Sequence, residues 1–269
     1  QGRYRVYALT RNAAQHPLLR ARGVTPILGD LDDRVSLSQL AGLAQDIVHL
    51  APPPPHGAVD ERTANLLSVL RKARSIPQRF VYLSTSGVYG DCAGEVVFEH
   101  RALRPQTDRA RRRVDAERQL RRWGRDANVR ITILRVPGIY AADRLPIERL
   151  RNQMPAIRDG QDGYTNHIHA DDLARAIVVA LARGGTQRAY NTSDGDWLKM
   201  GAYFDLVADR LGLPRPPRLS MEEARGQLSE ASLSFMRESR RLDNGRIRRE
   251  LRLRLRYPSV LDGIAAVRS

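Results

Sequence analysis

Short β-branched runs alternating with longer stretches of helical periodicity constrain this chain more than any other feature. Arg5–Thr10, Thr25–Leu28, Asp46–Leu50, Arg79–Ser84 and Val129–Arg135 read as strands, with helices expected over about 36–44, 59–75 and 107–125. Strands joined through helices by short connections require right-handed crossovers, because a right-twisted strand and a right-handed helix pack back on one sheet only in that sense. The expected product is an α/β chain built on a parallel sheet with helices on its faces. Ligands of such a sheet bind outside the carboxyl ends of the strands, so the residues just after each strand carry the information.

Beyond residue 136 the rhythm changes. Residues 145–153 and 170–183 read as helices, Ala189–Asn191 as a short strand after Gly184-Gly185, and a further helix runs from Trp197 to about Leu211 before a turn rich in proline (Pro214, Pro216, Pro217). The expected division is 1–137 plus 169–195 for the sheet domain, and 138–168 plus 196–269 for a smaller C-terminal lobe over the binding edge. Gln1-Gly2, directly before a strand, reads as the end of a helix, where glycine supplies the left-handed conformation. The first strand and a glycine-rich phosphate loop are absent from the sequence. They are expected in a segment preceding Gln1.

Composition removes several classes. No apolar run approaches the ~20 residues of a membrane span, and the basic start lacks the apolar stretch of a signal peptide. The single cysteine, Cys92, offers neither an internal disulfide nor metal-ligand spacing. A cytoplasmic chain, monomer or homodimer, is the expectation. The net charge of +15 would ordinarily point to a polyanion, but of the 45 basic residues only Lys72 and Lys199 are lysine, which reads as a bias of residue choice. The densest run, Arg109 to Arg125, carries Val114, Ala116, Leu120 and Trp123 at helical spacing, the pattern of an amphipathic helix with a solvated basic face. With no nucleic-acid motif beside it, a nucleic-acid partner is the weaker reading.

Four places after strands could carry chemistry. Arg11 follows the first strand; in dinucleotide folds an acid there holds a ribose hydroxyl, whereas arginine accommodates a 2′-phosphate. Arg11 therefore favours NADP, with NAD still possible, unless it is one more surface arginine. Asp30 and Leu31 follow the second strand and suit an adenine contact, although an aspartate there also suits a turn. Ala51 and Pro52 follow the third, where backbone would pass the phosphates and ribose. Ser84-Thr85-Ser86-Gly87-Val88-Tyr89-Gly90 brings three hydroxyls to the sheet edge, either for a substrate oxygen or for turn backbone.

That segment, with Leu134-Arg135-Val136-Pro137-Gly138-Ile139-Tyr140 and Asn166-His167-Ile168-His169-Ala170-Asp171-Asp172-Leu173-Ala174, resembles the extended or atypical short-chain dehydrogenases, the NAD(P)-dependent epimerase/dehydratase-like proteins. The resemblance runs in order from Arg3 nearly to Ser269, and Tyr257-Pro258-Ser259 with Gly263 looks like the family's closing segment. It implies a Rossmann-type doubly wound sheet, a nicotinamide cofactor and a small polar, sugar-linked substrate. Thr85 would contact the reacting oxygen, helped by Tyr89 or Tyr140. Ser84 and Arg113 would hold the cofactor, Val136, Pro137, Gly138 and Ile139 would pass along the nicotinamide, and Ser86 and His169 would meet substrate. His167 and His169 are read as pointing to opposite faces of a strand, which argues against a metal.

The departure is on the helix after the hydroxyl segment. Family members place Tyr-x-x-x-Lys there; counting back from Ala116-Glu117, these slots hold Arg109 and Arg113. Arginine stays protonated and cannot cycle as an acid and base near neutral pH. Two functions follow from the resemblance: an NADP-dependent oxidoreductase or epimerase-like enzyme with an altered site, or an NADP-binding sensor that has lost the proton relay.

Overall fold

The computed structural model describes residues 4–266, so Gln1-Gly2 and its expected helix end lie outside the described residues. In chain order the first half consists of β1 (Val6–Thr10), α1 (His16–Ala21), β2 (Val24–Leu28), β3 (Asp46–His49), α2 (Glu61–Leu70), β4 (Arg79–Thr85), α3 (Asp108–Asp126) and β5 (Arg130–Val136). The second half adds β6 (Gly138–Tyr140), α4 (Ile147–Arg151), β7 (Tyr164–Thr165), β8 (His167–His169), α5 (Ala170–Arg183), β9 (Arg188–Asn191) and β10 (Leu198–Lys199). It continues with α6 (Met200–Leu211), α7 (Glu230–Arg237), α8 (Gly245–Glu250) and α9 (Val260–Ala265).

Every expected strand is present within two residues of its expected ends. β9, β5, β4 and β3 form a parallel sheet in that order, and β1 pairs in parallel with β2 from Val6↔Val24 to Thr10↔Leu28. Among the described residues no ladder joins β1 to β3, so the parallel strands fall into a pair and a set of four.

The alternation of side chains along a strand separates two cores. Phe80 and Tyr82 of β4, with Ile131 and Ile133 of β5, face Leu66, Leu67 and Leu70 of α2 and Ala116, Leu120 and Trp123 of α3. Val81, Leu134 and Val136 face the other way, onto Leu173, Ala176 and Ala180 of α5 and onto Leu251 and Leu253. A third cluster joins Tyr140, Leu150, Phe204, Val207, Leu233, Val260 and Ile264 beyond the sheet. β6 runs parallel to β8, and β7 antiparallel to β10, so that the chain after β5 returns to the carboxyl edge of the sheet.

Two helical expectations change. The stretch expected at 36–44 is a 3-10 turn, Val35–Leu40, because only Leu37 is buried there and Gly42, at φ +75°, turns the chain. α1 was not expected at all. It follows a 3-10 turn, Ala13–Gln15, that Asn12 caps by accepting from Ala14 N, and Pro17 sits in its first turn, but it buries no residue and so leaves no apolar periodicity to read. No helix among the described residues is long and apolar enough to cross a membrane.

Candidate active site

β4 delivers Thr85 to the carboxyl edge of the sheet, and the chain tightens at once into a 3-10 turn, Ser86–Tyr89. Thr85 caps that turn: its Oγ1 accepts from Gly87 N at 3.2 Å. The hydroxyl's own proton goes to no described group, so it remains available to an oxygen in the cleft. Thr85, Ser86, Pro137 and Gly138 line one side of a cavity of about 370 Å³, with Arg109 and Arg113 of α3 beside them.

α3 places these two arginines because Thr107 caps its start, accepting from Ala110 N, and one turn separates residues 109 and 113 on its surface. Arg113 Nη1 donates to Leu83 O at 2.8 Å, Tyr82 Oη at 3.0 Å and Ala51 O at 3.3 Å. It thereby ties β4 to the segment after β3. Ala51 also lines a second cavity of about 210 Å³, together with Arg11, Asp30, Leu31, Pro52 and Arg62. The two cavities therefore meet at one guanidinium, and the expected adenosine contacts share a wall with one another.

The second cavity has an electrostatic feature that sequence alone did not disclose. Arg62 grips Asp32 through two hydrogen bonds, Nε–Oδ1 at 2.7 Å and Nη2–Oδ2 at 2.6 Å, and donates to Pro52 O at 3.1 Å. The hydrogen bonds from Arg62 hold the Asp32 carboxyl below the usual carboxylate range. Arg11 donates to no described group. Asp32, which also feels the charge of Arg11, is thus already held by a different cation.

On the far wall of the first cavity stand Tyr164, Asn166, His167, Phe235, Glu238 and Arg240, none of which sequence reasoning placed in the site. Glu238 is paired with Arg240 at 2.8 Å, and its charge also reaches Arg109 without forming an ion pair to it. Arg109 packs its guanidinium over the Phe235 ring, 4.4 Å from the centroid, and forms no ion pair among the described residues. Partial desolvation, with the charges of Arg113, Arg112 and Arg240 around it, pulls its pKa below the usual arginine value. The cleft is therefore net cationic.

Its histidine is not an acid–base group near neutral pH. Burial pushes the His167 imidazole down to about 4, and its ring stacks on Tyr203 at 4.1 Å. His49, at the end of β3, is likewise pushed down to about 4, by burial and then by the charge of Arg113, and hydrogen-bonds Thr63 Oγ1 at 3.2 Å.

Six of the expected site residues are drawn elsewhere. Ser84 points to the opposite face from Thr85, where its hydroxyl donates to Glu117 at 2.6 Å. Tyr89 is buried; its hydroxyl donates to Asn191 Oδ1 at 2.7 Å and accepts from Arg135 at 2.9 Å. Tyr140 is buried too, donating to Ser259 O at 3.0 Å. Val136 and Ile139 turn their side chains into the α5-side core. His169 accepts from Asp171 N at 3.2 Å, which caps α5, and packs at a tilt against Tyr257, ring centroids 4.0 Å apart, beside a separate cavity. His167 and His169, expected on opposite faces, both touch the Tyr140 ring edge-on, because residues two apart in a strand share a face. The segment carrying Asn166 and His167 had been singled out in sequence. The period of two, applied correctly, would have kept the two histidines together.

The NAD dependent epimerase/dehydratase family matches residues 1–193. The chain belongs to that family. GDP-6-deoxy-D-mannose reductase of Pseudomonas aeruginosa is 27% identical over 162 residues, 55% of this chain and 53% of that protein, so the chain spans about half the length of this relative. A conserved protein of unknown function from Silicibacter pomeroyi shares the fold at a TM-score of 0.78 with 28% identity, over 98% of this chain and 90% of the other. A double mutant of the dTDP-glucose 4,6-dehydratase DesIV from Streptomyces venezuelae, with NAD and DAU bound, gives a TM-score of 0.76 and 25% identity, over 98% and 86%.

A nicotinamide dinucleotide suits what this family member presents at two points. The second cavity combines apolar walls (Leu31, Ala51, Pro52) with the unpaired guanidinium of Arg11, and the first joins hydroxyl and guanidinium donors at the strand ends. Among the described residues no glycine-rich turn opening a helix offers its amides to a pyrophosphate.

Proposed function

We propose that this family member is an oxidoreductase or epimerase-like enzyme that takes NADP and acts on a small, negatively charged, sugar-linked metabolite. One observation carries the reading: Thr85 and two guanidiniums that form no ion pair among the described residues line one cavity, which is tied through Arg113 and Ala51 to the cavity of Arg11. In this reading Arg11 takes the 2′-phosphate, Asp30, Leu31, Ala51 and Pro52 flank adenosine, and Arg113, Pro137 and Gly138 hold the nicotinamide end. The pairing of Asp32 with Arg62 supports NADP, since it offsets one of the carboxylates near Arg11 that would oppose a phosphate. The sugar-nucleotide names of two relatives support the substrate class.

When bound, the nicotinamide supplies or accepts the hydride. Thr85 and Ser86 donate to the reacting oxygen and orient its carbon. Arg109, in place of a tyrosine, keeps its proton and stabilises negative charge as it grows on that oxygen, the role of an oxyanion donor. The proton that completes an alcohol then comes from water. Arg109 also carries the second reading, an NADP-binding sensor without turnover, because no group in its slot can exchange a proton near pH 7.

Fluorescence titration of the full-length protein with NADPH and NADH tests the cofactor. NADPH should bind about ten- to hundredfold more tightly, a preference lost in Arg11→Ala. Equal affinities would refute the NADP assignment. NADPH oxidation across a panel of carbonyl compounds, anionic sugars included, separates enzyme from sensor: tight binding with no turnover on any of them selects the sensor.

A further inference from the structure

We propose that a groove formed by α8 and the segment after it, remote in composition from the cleft above, binds a small ligand bearing several linked phosphates. The inference is independent of the proposed function. Gly245, Arg248, Arg249, Arg252, Leu253 and Arg254 line a hollow of about 460 Å³. Arg248, Leu253 and Arg254 also line an adjoining hollow of about 500 Å³, so the two form one groove. A volume of this order matches the range of about 300–1,000 Å³ usual for small-molecule sites.

The sequence builds the groove by alternation. Leu251, Leu253 and Leu255 turn inward onto the α5-side core, while Arg252, Arg254 and Arg256 stay exposed. Arg248 and Arg249 reach the same hollow from α8. Four exposed arginines thus line one concavity.

Among the described residues the guanidiniums of Arg248, Arg249, Arg252 and Arg254 form no ion pair and donate no hydrogen bond. The neighbouring acids are already engaged. Glu250 is held by Arg188 and Tyr190, and Asp172 accepts from the backbone of Arg256 and Tyr257 and from Arg175. At the far end of the groove Asp194 is buried, and burial pushes its carboxyl up to about 8; Asp196 lines that end as well, and Asp243, beside Gly245, accepts from its backbone N–H.

Arg252 adds a conformational observation. Its φ is +54°, a region that residues with a side chain adopt at a cost. Such strain collects at ligand clamps, and here it is carried by a residue whose guanidinium contacts no described group.

The chemistry of the wall selects the ligand. Guanidinium forks pair with phosphate oxygens, and four of them match a run of linked phosphates better than one anion. No aromatic side chain lines either hollow, which argues against single-stranded nucleic acid, whose bases need stacking platforms.

The test is calorimetric titration of the full-length protein with sodium tripolyphosphate, with orthophosphate and a 20-nucleotide single strand as parallel arms, at two salt concentrations. Tripolyphosphate should bind one to one, at least tenfold more tightly than orthophosphate, and more weakly as salt rises. Arg248→Ala/Arg252→Gly should weaken it at least tenfold without lowering the Tm, since glycine adopts φ +54° freely. Absence of binding overturns the proposal, as does binding unchanged in the double variant. Loss of tripolyphosphate binding in Arg11→Ala, which leaves the groove intact, would put the anion in the cofactor cleft, and tighter binding of the oligonucleotide would make this a nucleic-acid surface; either result also overturns it.

Discussion

Removing one charge from the buried pair beneath the cleft gives the sharpest test of the architecture. Glu117 and Arg135 are 2% and 4% exposed and meet through Nη2–Oε2 at 2.8 Å and Nε–Oε1 at 3.1 Å. Ser84 adds a third hydrogen bond to Glu117, and Arg135 also donates to Tyr89 Oη and to Glu99 O. Glu117→Gln keeps the shape of the side chain and leaves the guanidinium buried without its counter-charge. Breaking such a pair costs about 3–5 kcal/mol, and the two acceptors that Arg135 keeps, Tyr89 Oη and Glu99 O, place the expected loss near the lower end, about 3 kcal/mol. At about 2–4 °C per kcal/mol for a domain of this size, the Tm should fall by about 6–12 °C. Denaturant unfolding of wild type, Glu117→Gln, Arg135→Met and the double variant closes a thermodynamic cycle. The double variant should recover much of the loss, because no charge is then left unpaired. A single variant that loses less than about 1 kcal/mol, or a double variant no more stable than Glu117→Gln, would refute the reasoning.

Asp194 predicts a pH dependence. Its carboxyl is pushed up to about 8 by burial and its Oδ2 has no partner, so the folded state holds a proton that the unfolded chain releases near pH 4. The unfolded chain therefore binds fewer protons between about pH 4 and 8, and stability falls as pH rises through that window, by at most about 1.4 kcal/mol per pH unit. Asp194→Asn should flatten this slope in Tm measured from pH 5 to 9; an unchanged slope would assign the titration elsewhere. Gly263 sits where a Cβ would lie 2.2 Å from Tyr140 Oη, so Gly263→Ala should cost about 1–3 kcal/mol in thermal unfolding, and a neutral result would deny that tight packing. Tyr89→Phe should lower stability by about 1–2 kcal/mol through the lost Asn191 hydrogen bond while leaving NADPH affinity unchanged. A selective loss of NADPH binding would return Tyr89 to the cleft.

The order of strands and helices was legible in sequence because burial on two faces writes itself as β-branched runs and helical stripes. Turn chemistry marks the strand ends that carry Thr85, Arg11 and Asp30, and the family resemblance points to Arg113; Thr85 and Arg113 line the first cavity, Arg11 and Asp30 the second. The direction of each side chain was not legible. Ser84 differs from Thr85 only by strand parity, and Tyr89 and Tyr140 look like reactive hydroxyls until Asn191 and Ser259, each 102 and 119 residues away, are seen to accept from them. The far wall of the cleft, from Tyr164 to Arg240, was decided in the same way, since it exists only when segments distant in the chain fold over the sheet edge. Local periodicity records how much of a residue is buried. It does not record which long-range partner takes its polar atoms, and that choice is made by tertiary packing.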